Sequence, residues 1–230
     1  MNREARTSSE SIVVEGRRSS REIKKPGRPG KGGRKPYDLE MVVDAAIRVF
    51  NRRGFEASSM EDVARETGLT KSSLYYHVAS KEELLGRALE RAFTPLLAIL
   101  DESEAKSGTP IARLKHIVYR SVLITVDFAQ EVELLQRIKG NTSTERNGLE
   151  WRRRMDHAVT ALVGQAASAG EIRSDIEPGL LTRLIFGMSN SITQWYRAEG
   201  NLGRDEIAAA VLATVFEGLG ERRAEPETSA

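Results

Sequence analysis

The sequence has no cysteine, which excludes disulfide bonds, thiolate metal ligands and thiol nucleophiles together. Histidine is scarce as well, and His77, His116 and His157 belong to different predicted helices. None of them has a second histidine or a carboxylate at the spacing that helical metal motifs use. The aspartates and glutamates follow the spacing of solvent-exposed helix faces. We therefore expect no metal site, no cofactor and no enzymatic activity.

Long apolar runs are also missing. No run approaches the roughly 20 residues that a membrane-spanning helix needs, and the N-terminal residues MNREARTSSES lack the apolar core of a signal peptide. Hydrophobic residues make up 40% of the chain and charged residues 30%, a composition typical of a globular protein. These features predict a cytoplasmic protein with no membrane partner.

Strand-like alternation of apolar and polar residues is absent from the sequence, whereas helical periodicity continues from Asp38 almost to the C-terminus. The pattern predicts an all-α fold. Pro95 falls inside the fourth predicted helix and should kink it. The predicted helices cover about residues 39–53, 60–66, 71–77, 80–100, 109–128, 130–139, 144–169, 177–197 and 204–219.

The charge is unevenly distributed. Residues 1–36 carry eleven Lys and Arg against four Glu, a net charge of +7, so the rest of the chain must be −5 for the total of +2. A basic segment on a mildly acidic body favours a polyanionic partner, of which nucleic acid is the commonest. The alternative is a solvated tail that has no partner.

A helix-turn-helix layout is present in residues 60–77, MEDVARETGLTKSSLYYH. Two helices that cross steeply need a small residue at their contact, which Ala64 supplies, and the turn needs a residue that tolerates left-handed backbone, which Gly68 supplies. An ordinary helical hairpin with a solvated face is the alternative interpretation. The predicted exposed face of the second helix consists of Lys71, Ser72, Ser73, Tyr75, Tyr76 and His77.

The longer segment AAIRVFNRRGFEASSMEDVARETGLTKSSLYYHVASKEELL, residues 45–85, resembles the DNA-binding signature of TetR-family repressors. The resemblance implies a three-helix DNA-binding domain joined to a larger helical domain that binds an effector and forms a homodimer. It divides the chain into a disordered basic arm (1–36), a DNA-binding domain (37–85), an effector-binding and dimerisation domain (86–220) and a disordered tail (221–230).

The resemblance also implies roles for individual residues. Lys71, Ser72 and Ser73 would face base edges, and Tyr75, Tyr76 and His77 would contact phosphates and the thymine-methyl side of the major groove. Lys81 would bind a phosphate, as would the hydroxyl or amide of Ser59. Because the recognition helix contains no Arg, Asn or Gln, Lys71 is the one residue in it able to read guanine strongly.

The basic arm contains the core Gly27-Arg28-Pro29, which is similar to an AT-hook. In such a segment the backbone lies along a narrow A·T minor groove and the arginine inserts where the potential is most negative. Arg28 is therefore a candidate minor-groove contact. Gly30 and Gly32-Gly33 interrupt the usual basic flank, so a flexible tail that only attracts phosphates is an equal alternative.

The larger domain is expected to enclose an apolar effector cavity with a few polar groups. Residues 174–197 loosely resemble family members that sense acyl-CoA thioesters, and Arg152-Arg153-Arg154 could meet a CoA phosphate or form a solvated helix face. Aromatic and Met residues at helical spacing are usually core, which is the alternative for each candidate. The candidate lining residues are Tyr119, Arg120, Phe128, Trp151, Arg154, His157, Met188, Asn190 and Trp195.

Two apolar stripes, from Leu181 to Trp195 and from Ile207 to Phe216, are predicted by the resemblance to pack against a second subunit. A two-fold dimer of this kind matches a palindromic operator. The chain is thus predicted to be a repressor that a small-molecule effector releases from double-stranded DNA. Competing interpretations are an enzyme or carrier built on a helical bundle, and an architectural protein that binds DNA without sequence choice.

Overall fold

The computed structural model describes residues 39–197 and 199–219. Every regular element in those ranges is a helix, so the predicted all-α fold is confirmed there. None of these helices combines the length and the hydrophobicity that crossing a membrane requires. Residues 1–36, with the candidate Arg28, and residues 221–230 lie outside the described ranges. The helices are α1 (Leu39–Arg53), α2 (Met60–Thr67), α3 (Lys71–His77), α4 (Lys81–Ala98), α5 (Ser103–Lys106), α6 (Pro110–Asp127), α7 (Ala129–Arg137), α8 (Ser143–Ser168), α9 (Pro178–Trp195) and α10 (Arg204–Glu217).

Side-chain caps fix where most of these helices begin. Ser59, Thr70, Ser80, Thr109 and Thr142 each accept a hydrogen bond from the backbone N–H three residues later, at the start of α2, α3, α4, α6 and α8. A hydroxyl at this position satisfies one of the N–H groups that the first helical turn leaves unpaired. Cap residues can be recognised in a sequence, and the predicted helix starts therefore lie close to the observed ones.

The predicted fourth helix, residues 80–100, is shorter than expected. It ends at Ala98 and is followed by a 3₁₀ turn (Ile99–Asp101) and then by α5, which the apolar pattern did not reveal. Extended backbone at Glu102 (φ −65°, ψ 147°) separates the turn from α5. The Glu102 carboxylate accepts hydrogen bonds from Arg120 on α6, with Nη2 at 2.9 Å. This tertiary contact holds Glu102 in a conformation that interrupts the helix.

Two hydrophobic cores lie along the molecule. The first packs α1, α2 and α3 against the N-terminal half of α4, and it is completed by Leu134, Leu135 and Ile138 from α7 and its C-cap. The second packs α6 and α8 against α9 and α10. Burial of each large apolar side chain stabilises the fold by roughly 1.5–3 kcal/mol. Because α7 contributes to the first core, the core around the N-terminal helices includes residues from outside the N-terminal segment.

The outward face of α9 and α10 differs from the sequence prediction. Ile185, Ile192, Ile207 and Val211 are buried within the chain itself, in the second core, so much of each predicted stripe is not available to a partner subunit. The prediction that the whole stripes face a second subunit is therefore wrong. Both helices are apolar on more than one side, and periodicity alone does not say which side turns inward. The large apolar residues that α9 leaves exposed are Leu180, Leu184, Met188 and Trp195.

Candidate nucleic-acid interface and ligand cavity

A sharp turn sets the angle between α2 and α3. Gly68 has left-handed backbone (φ 71°), and its N–H donates to the carbonyl of Arg65 while the N–H of Leu69 donates to that of Ala64 at 3.0 Å. A side chain with a Cβ would strain the backbone at Gly68. Leu74 is fully buried on the inner face of α3 and ties that helix to the first core. The turn and this single anchor leave the rest of α3 facing outward.

The outer face of α3 is polar, aromatic and accessible. Tyr76 is 88% exposed and Tyr75 47%, so both aromatic rings are accessible from solvent. His77 is half-buried and packs edge-to-face against Tyr76, with ring centroids 5.7 Å apart. Lys71, Ser72 and Ser73 are exposed at the start of the helix. All six residues predicted on the recognition helix therefore share one short, accessible element, and what they contact stays a prediction.

Ser59 is engaged within its own helix start. Its hydroxyl donates to Oδ2 of Asp62 at 2.8 Å and its N–H donates to the same oxygen at 3.0 Å, while the hydroxyl oxygen accepts from the N–H of Asp62. Both donors that were predicted to meet a phosphate are thus occupied. The arrangement is a capping box, and it assigns Ser59 to holding α2 in place.

Lys81 has an internal role that the sequence did not indicate. Its Nζ donates to the carbonyls of Phe55 (2.8 Å), Ser58 (2.9 Å) and Glu56 (3.3 Å), and it lies 4.4 Å from the centroid of the Phe55 ring. An ammonium has three N–H donors, and all three are used. These contacts give the Lys81 side chain a structural role in closing the loop between α1 and α2, and its predicted phosphate contact stays a prediction.

The arginines of α1 are paired with carboxylates of α2. Glu66 accepts from Arg52 at 2.7 Å and from Arg48 at 3.1 Å, and these hydrogen bonds lower the pKa of Glu66. Hydrogen bonds from Ser59, assisted by Arg53, lower the pKa of Asp62 to about 2. These pairs are exposed and contribute little stability each. Lys71, by contrast, is exposed at the start of α3 and forms no ion pair within the described residues.

The N-terminal helices are fastened to α7 by Asn51, at the C-terminal end of α1. The side-chain amide of Asn51 donates to the carbonyl of Gln130 at 2.8 Å, and Arg137 donates to the carbonyl of Asn51 at 2.6 Å. On α4, Arg91 binds Asp44 at 2.5 Å and lies 3.5 Å from Glu131 of α7. The orientation of α1 is consequently fixed by α7 as well as by its own core.

Most of the predicted ligand residues form contacts with other residues of the chain or are exposed to solvent. Tyr119 donates to Asp205 at 2.7 Å, and Arg120 binds Glu102. Because an aromatic or long side chain at helical spacing is usually packed in a core or solvated, the sequence could not separate these from true lining residues. Of the other candidates, Trp151 packs edge-to-face on Phe93, Phe128 packs on the second core, Arg154 and His157 are exposed, and Met188 and Trp195 are exposed on α9.

Among the predicted ligand residues, Asn190 lines a cavity that reaches the surface beside the exposed Arg152. The cavity has a volume of ≈ 90 Å³ and lies among α4, α6, α7, α8 and α9. Sequence reasoning missed the hydroxyl residues Ser121 and Thr125, both 3% exposed, that face it from α6. Two hydroxyl residues four positions apart in an otherwise apolar helical stretch were the available signal. The apolar wall is formed by Phe93, Leu96, Val132, Leu135, Met155 and Phe186.

We find no group of potential metal ligands in the described part of the chain. Across residues 39–197 and 199–219, no three His, Asp or Glu side chains are grouped so that they could hold an ion.

A helix-turn-helix with an exposed α3, set on a helical domain with a cavity, defines a DNA-binding transcription regulator. The family model described as "Bacterial regulatory proteins, tetR family" matches residues 42–88, and the model "Tetracyclin repressor-like, C-terminal domain" matches residues 107–219. The chain belongs to the TetR family. Both matches point to a transcription regulator.

Individual relatives agree with this assignment. The chain is 44% identical to a solved TetR-family regulator of Streptomyces coelicolor A3, SCO3833, with a TM-score of 0.75 and coverage of 82% of this chain and 94% of that one. It is 26% identical over 188 residues to the transcriptional repressor KstR2 of Mycobacterium tuberculosis, covering 77% of this chain and 90% of the relative. A structure of AibR with isovaleryl coenzyme A and operator DNA shares the fold at 23% identity, with a TM-score of 0.64 and coverage of 77% and 97%.

Proposed function

We propose that this regulator is a repressor that binds a palindromic operator as a homodimer through α3 and is released by a small-molecule effector. The observation that carries the proposal is the face of α3. The side chains of Lys71, Ser72 and Tyr76 are exposed and form no hydrogen bond or ion pair within the described residues. Amine, hydroxyl and phenol groups in this arrangement suit phosphate oxygens and base edges in the major groove.

The proposed homodimer uses the exposed face of α9. Leu180, Leu184 and Met188 follow each other at four-residue spacing and are 47%, 57% and 37% exposed, and Trp195 extends the same helix at 50%. Large apolar side chains gathered in one stripe mark a surface that is covered by a partner. A second copy of the chain is the proposed partner, because a two-fold pair presents two α3 helices to two half-sites.

The proposed effector site is the cavity lined by Ser121 and Asn190, and an acyl-CoA thioester is the proposed effector. AibR, which shares the fold, binds isovaleryl coenzyme A. A volume of ≈ 90 Å³ admits only a short acyl group. The coenzyme would then lie outside, near the exposed Arg152, Arg153 and Arg154, whose guanidinium groups suit phosphates.

The experiment that tests the DNA-binding part is selection of genomic fragments by the full-length protein, followed by affinity measurements on the recovered operator. Lys71→Ala should weaken binding by roughly 1–3 kcal/mol and relax base choice at one position if Lys71 reads a guanine, or weaken binding uniformly if it meets a phosphate. Tyr76→Ala should weaken binding as well. Neither change should unfold the protein, since both side chains are exposed.

The matched control is Lys106→Ala, which removes an exposed lysine of α5 that is paired only with Asp101. It should leave operator affinity unchanged. Wild-type affinity in both the Lys71 and the Tyr76 variant would show that α3 is not the reading element. The operator recovered by selection should be palindromic, and a single unpaired half-site would contradict the dimer.

A further inference from the structure

The hydroxyl of Ser121 is the most unusual polar group in the cavity. Ser121 is 3% exposed, and its Oγ has no hydrogen-bond partner among the described residues. A helical serine ordinarily donates to the carbonyl four residues earlier, and an unpaired buried hydroxyl costs roughly 1–3 kcal/mol. A partner supplied by a bound molecule accounts for a donor that the chain itself leaves unused.

Ser189 provides the contrast. It lines the same cavity from α9 and is 2% exposed, but its hydroxyl donates to the carbonyl of Ile185 at 3.1 Å. Two deeply buried serines therefore face one space, and only the hydroxyl of Ser121 is left unpaired. The side-chain amide of Gln136 is likewise engaged, donating to the carbonyl of Asn190 at 3.3 Å.

The charge at the cavity is unfavourable for an anion. Asp156 on α8 lines the cavity and forms no hydrogen bond or ion pair within 4.0 Å among the described residues. Burial raises the pKa of the Asp156 carboxyl, and the more distant charges of Arg152, His157 and Arg183 oppose that effect. Arg152 also lines the cavity but is exposed to solvent, so a carboxylate inside the cavity would meet Asp156 without a buried cation to balance it.

We infer that the effector inserts an uncharged, compact apolar group bearing one oxygen that accepts a hydrogen bond from Ser121, and that the cavity rejects the free carboxylate of the same skeleton. The inference rests on the proposed function, because it specifies the chemistry of the proposed effector site. A volume of ≈ 90 Å³ is small beside the roughly 300–1,000 Å³ of ordinary ligand pockets, so the inserted group is compact. Ketones, esters, amides, alcohols and the carbonyl end of a thioester belong to this class.

Three probes with one carbon skeleton separate the possibilities: isobutyramide (neutral), isobutyrate (anionic) and isobutylamine (cationic). Their binding to the full-length protein is measured by NMR titration of cavity signals. Isobutyramide is expected to bind and isobutyrate is not. Ser121→Ala should weaken isobutyramide binding about threefold to tenfold, the effect of losing one hydrogen bond. The control variant Ser191→Ala, on α9 but outside the cavity, should leave that affinity unchanged.

Thermal unfolding of the unliganded variants gives a readout independent of the probes. Ser121→Ala should not lower Tm, because it removes a hydroxyl that has no partner, whereas Ser189→Ala should lower it. A destabilised Ser121→Ala protein would mean that the hydroxyl serves the fold and would overturn the inference.

The remaining outcomes separate this inference from the proposed function. Equal binding of isobutyrate, or binding of isobutylamine alone, would overturn it, the latter by making Asp156 the recognition group. Failure of all three probes in a protein that still binds its operator would overturn the inference and leave the DNA-binding proposal intact. Selective binding of isobutyramide by a protein that selects no operator would overturn the proposed function instead.

Discussion

At the scale of single residues, Lys81 is a lysine whose ammonium is used inside the protein. It joins the start of α4 to the carbonyls of Phe55, Glu56 and Ser58, which are otherwise far from it in the chain. Nothing in the sequence marks those carbonyls as its partners, because a backbone acceptor looks the same at every position. The SKEELL pattern therefore located the residue correctly without revealing what it binds.

Lys81→Ala should reduce the free energy of unfolding by about 1.5–3 kcal/mol, the range for hydrogen bonds to a charged group. Chemical denaturation of the variant measures this loss. Lys71→Ala is the matched control, since Lys71 is exposed and has no partner within the described residues, and it should leave stability unchanged. Equal stability of the two variants would show that the Lys81 contacts do not hold the loop.

Asp62 makes the stability of the DNA-binding half depend on pH. Hydrogen bonds from Ser59 hold the pKa of Asp62 at about 2 in the folded protein, below its ordinary value of 3.8. Because the folded pKa is the lower one, this stabilisation is present above pH 3.8 and is lost as the pH falls towards 2. Asp62→Asn should therefore be less stable than wild type at pH 7, and the difference should disappear on acidification.

Denaturation at a series of pH values measures this difference, and NMR titration of the Asp62 carboxyl reports the pKa directly. Ser59→Ala should raise that pKa, because it removes the hydroxyl donor, whereas the Ser59 amide and the guanidinium groups of Arg53 and Arg65 still donate to Asp62. A difference between wild type and Asp62→Asn that stays constant from pH 7 to pH 2 would contradict the assignment.

At the scale of helices, burial distinguishes the proposed dimer surface on α9 from the core residues of α10. Leu184 is 57% exposed, whereas Val211 of α10 is 7% exposed and packs within the second core. Leu184→Glu should therefore give folded monomers in sedimentation that lose tight binding to palindromic DNA. Val211→Glu should instead destabilise the subunit itself by several kcal/mol, since it buries an unpaired carboxylate.

Ala112→Glu is the control for the added charge, because Ala112 is exposed in the first turn of α6, where a carboxylate is favourable. This variant should stay dimeric and stable. Dimers of unchanged affinity in Leu184→Glu would place the subunit interface on another surface.

Helix limits and the DNA-binding unit were largely predictable from the sequence, for reasons that the structure makes visible. Ser59, Thr70 and Ser80 are caps whose effect is local, and Gly68 is required by a local backbone conformation. The effector region was less predictable, because burial there depends on which helices meet. Ser121 and Tyr119 lie two residues apart on α6, yet one faces the cavity and the other reaches Asp205 of α10.

At the scale of the whole molecule, the charge difference between the basic arm and the DNA-binding domain indicates a separate role for the arm. Residues 17–35 carry nine Lys and Arg and one Glu, whereas residues 37–91 carry eight Lys and Arg against ten Asp and Glu. A slightly acidic DNA-binding domain attracts DNA only weakly by itself. We propose that the arm supplies much of the phosphate attraction and that Arg28 adds a preference for A·T pairs beside the major-groove site.

Deleting residues 1–35 should flatten the dependence of log K on log salt by about 0.9 for each phosphate contact that is lost. Arg28→Ala should reduce the preference for A·T pairs flanking the operator with little change in slope. Arg34→Ala is the matched control and should show no such loss of preference. Identical behaviour of the two arginine variants would make the arm a plain electrostatic tether, and an unchanged slope after the deletion would show that it does not touch DNA.

The position of α7 bears on the energetic coupling between the proposed effector site and the DNA-binding site. Leu135 belongs to the core of the DNA-binding half and also lines the cavity, so one side chain borders both. If the proposed effector displaces Leu135 and thereby changes the operator affinity by some factor, reciprocity requires bound operator to change the effector affinity by that same factor. The apparent potency of an effector on this regulator is thus not a constant of the protein alone: it depends on how much of the protein is on DNA when the effector arrives.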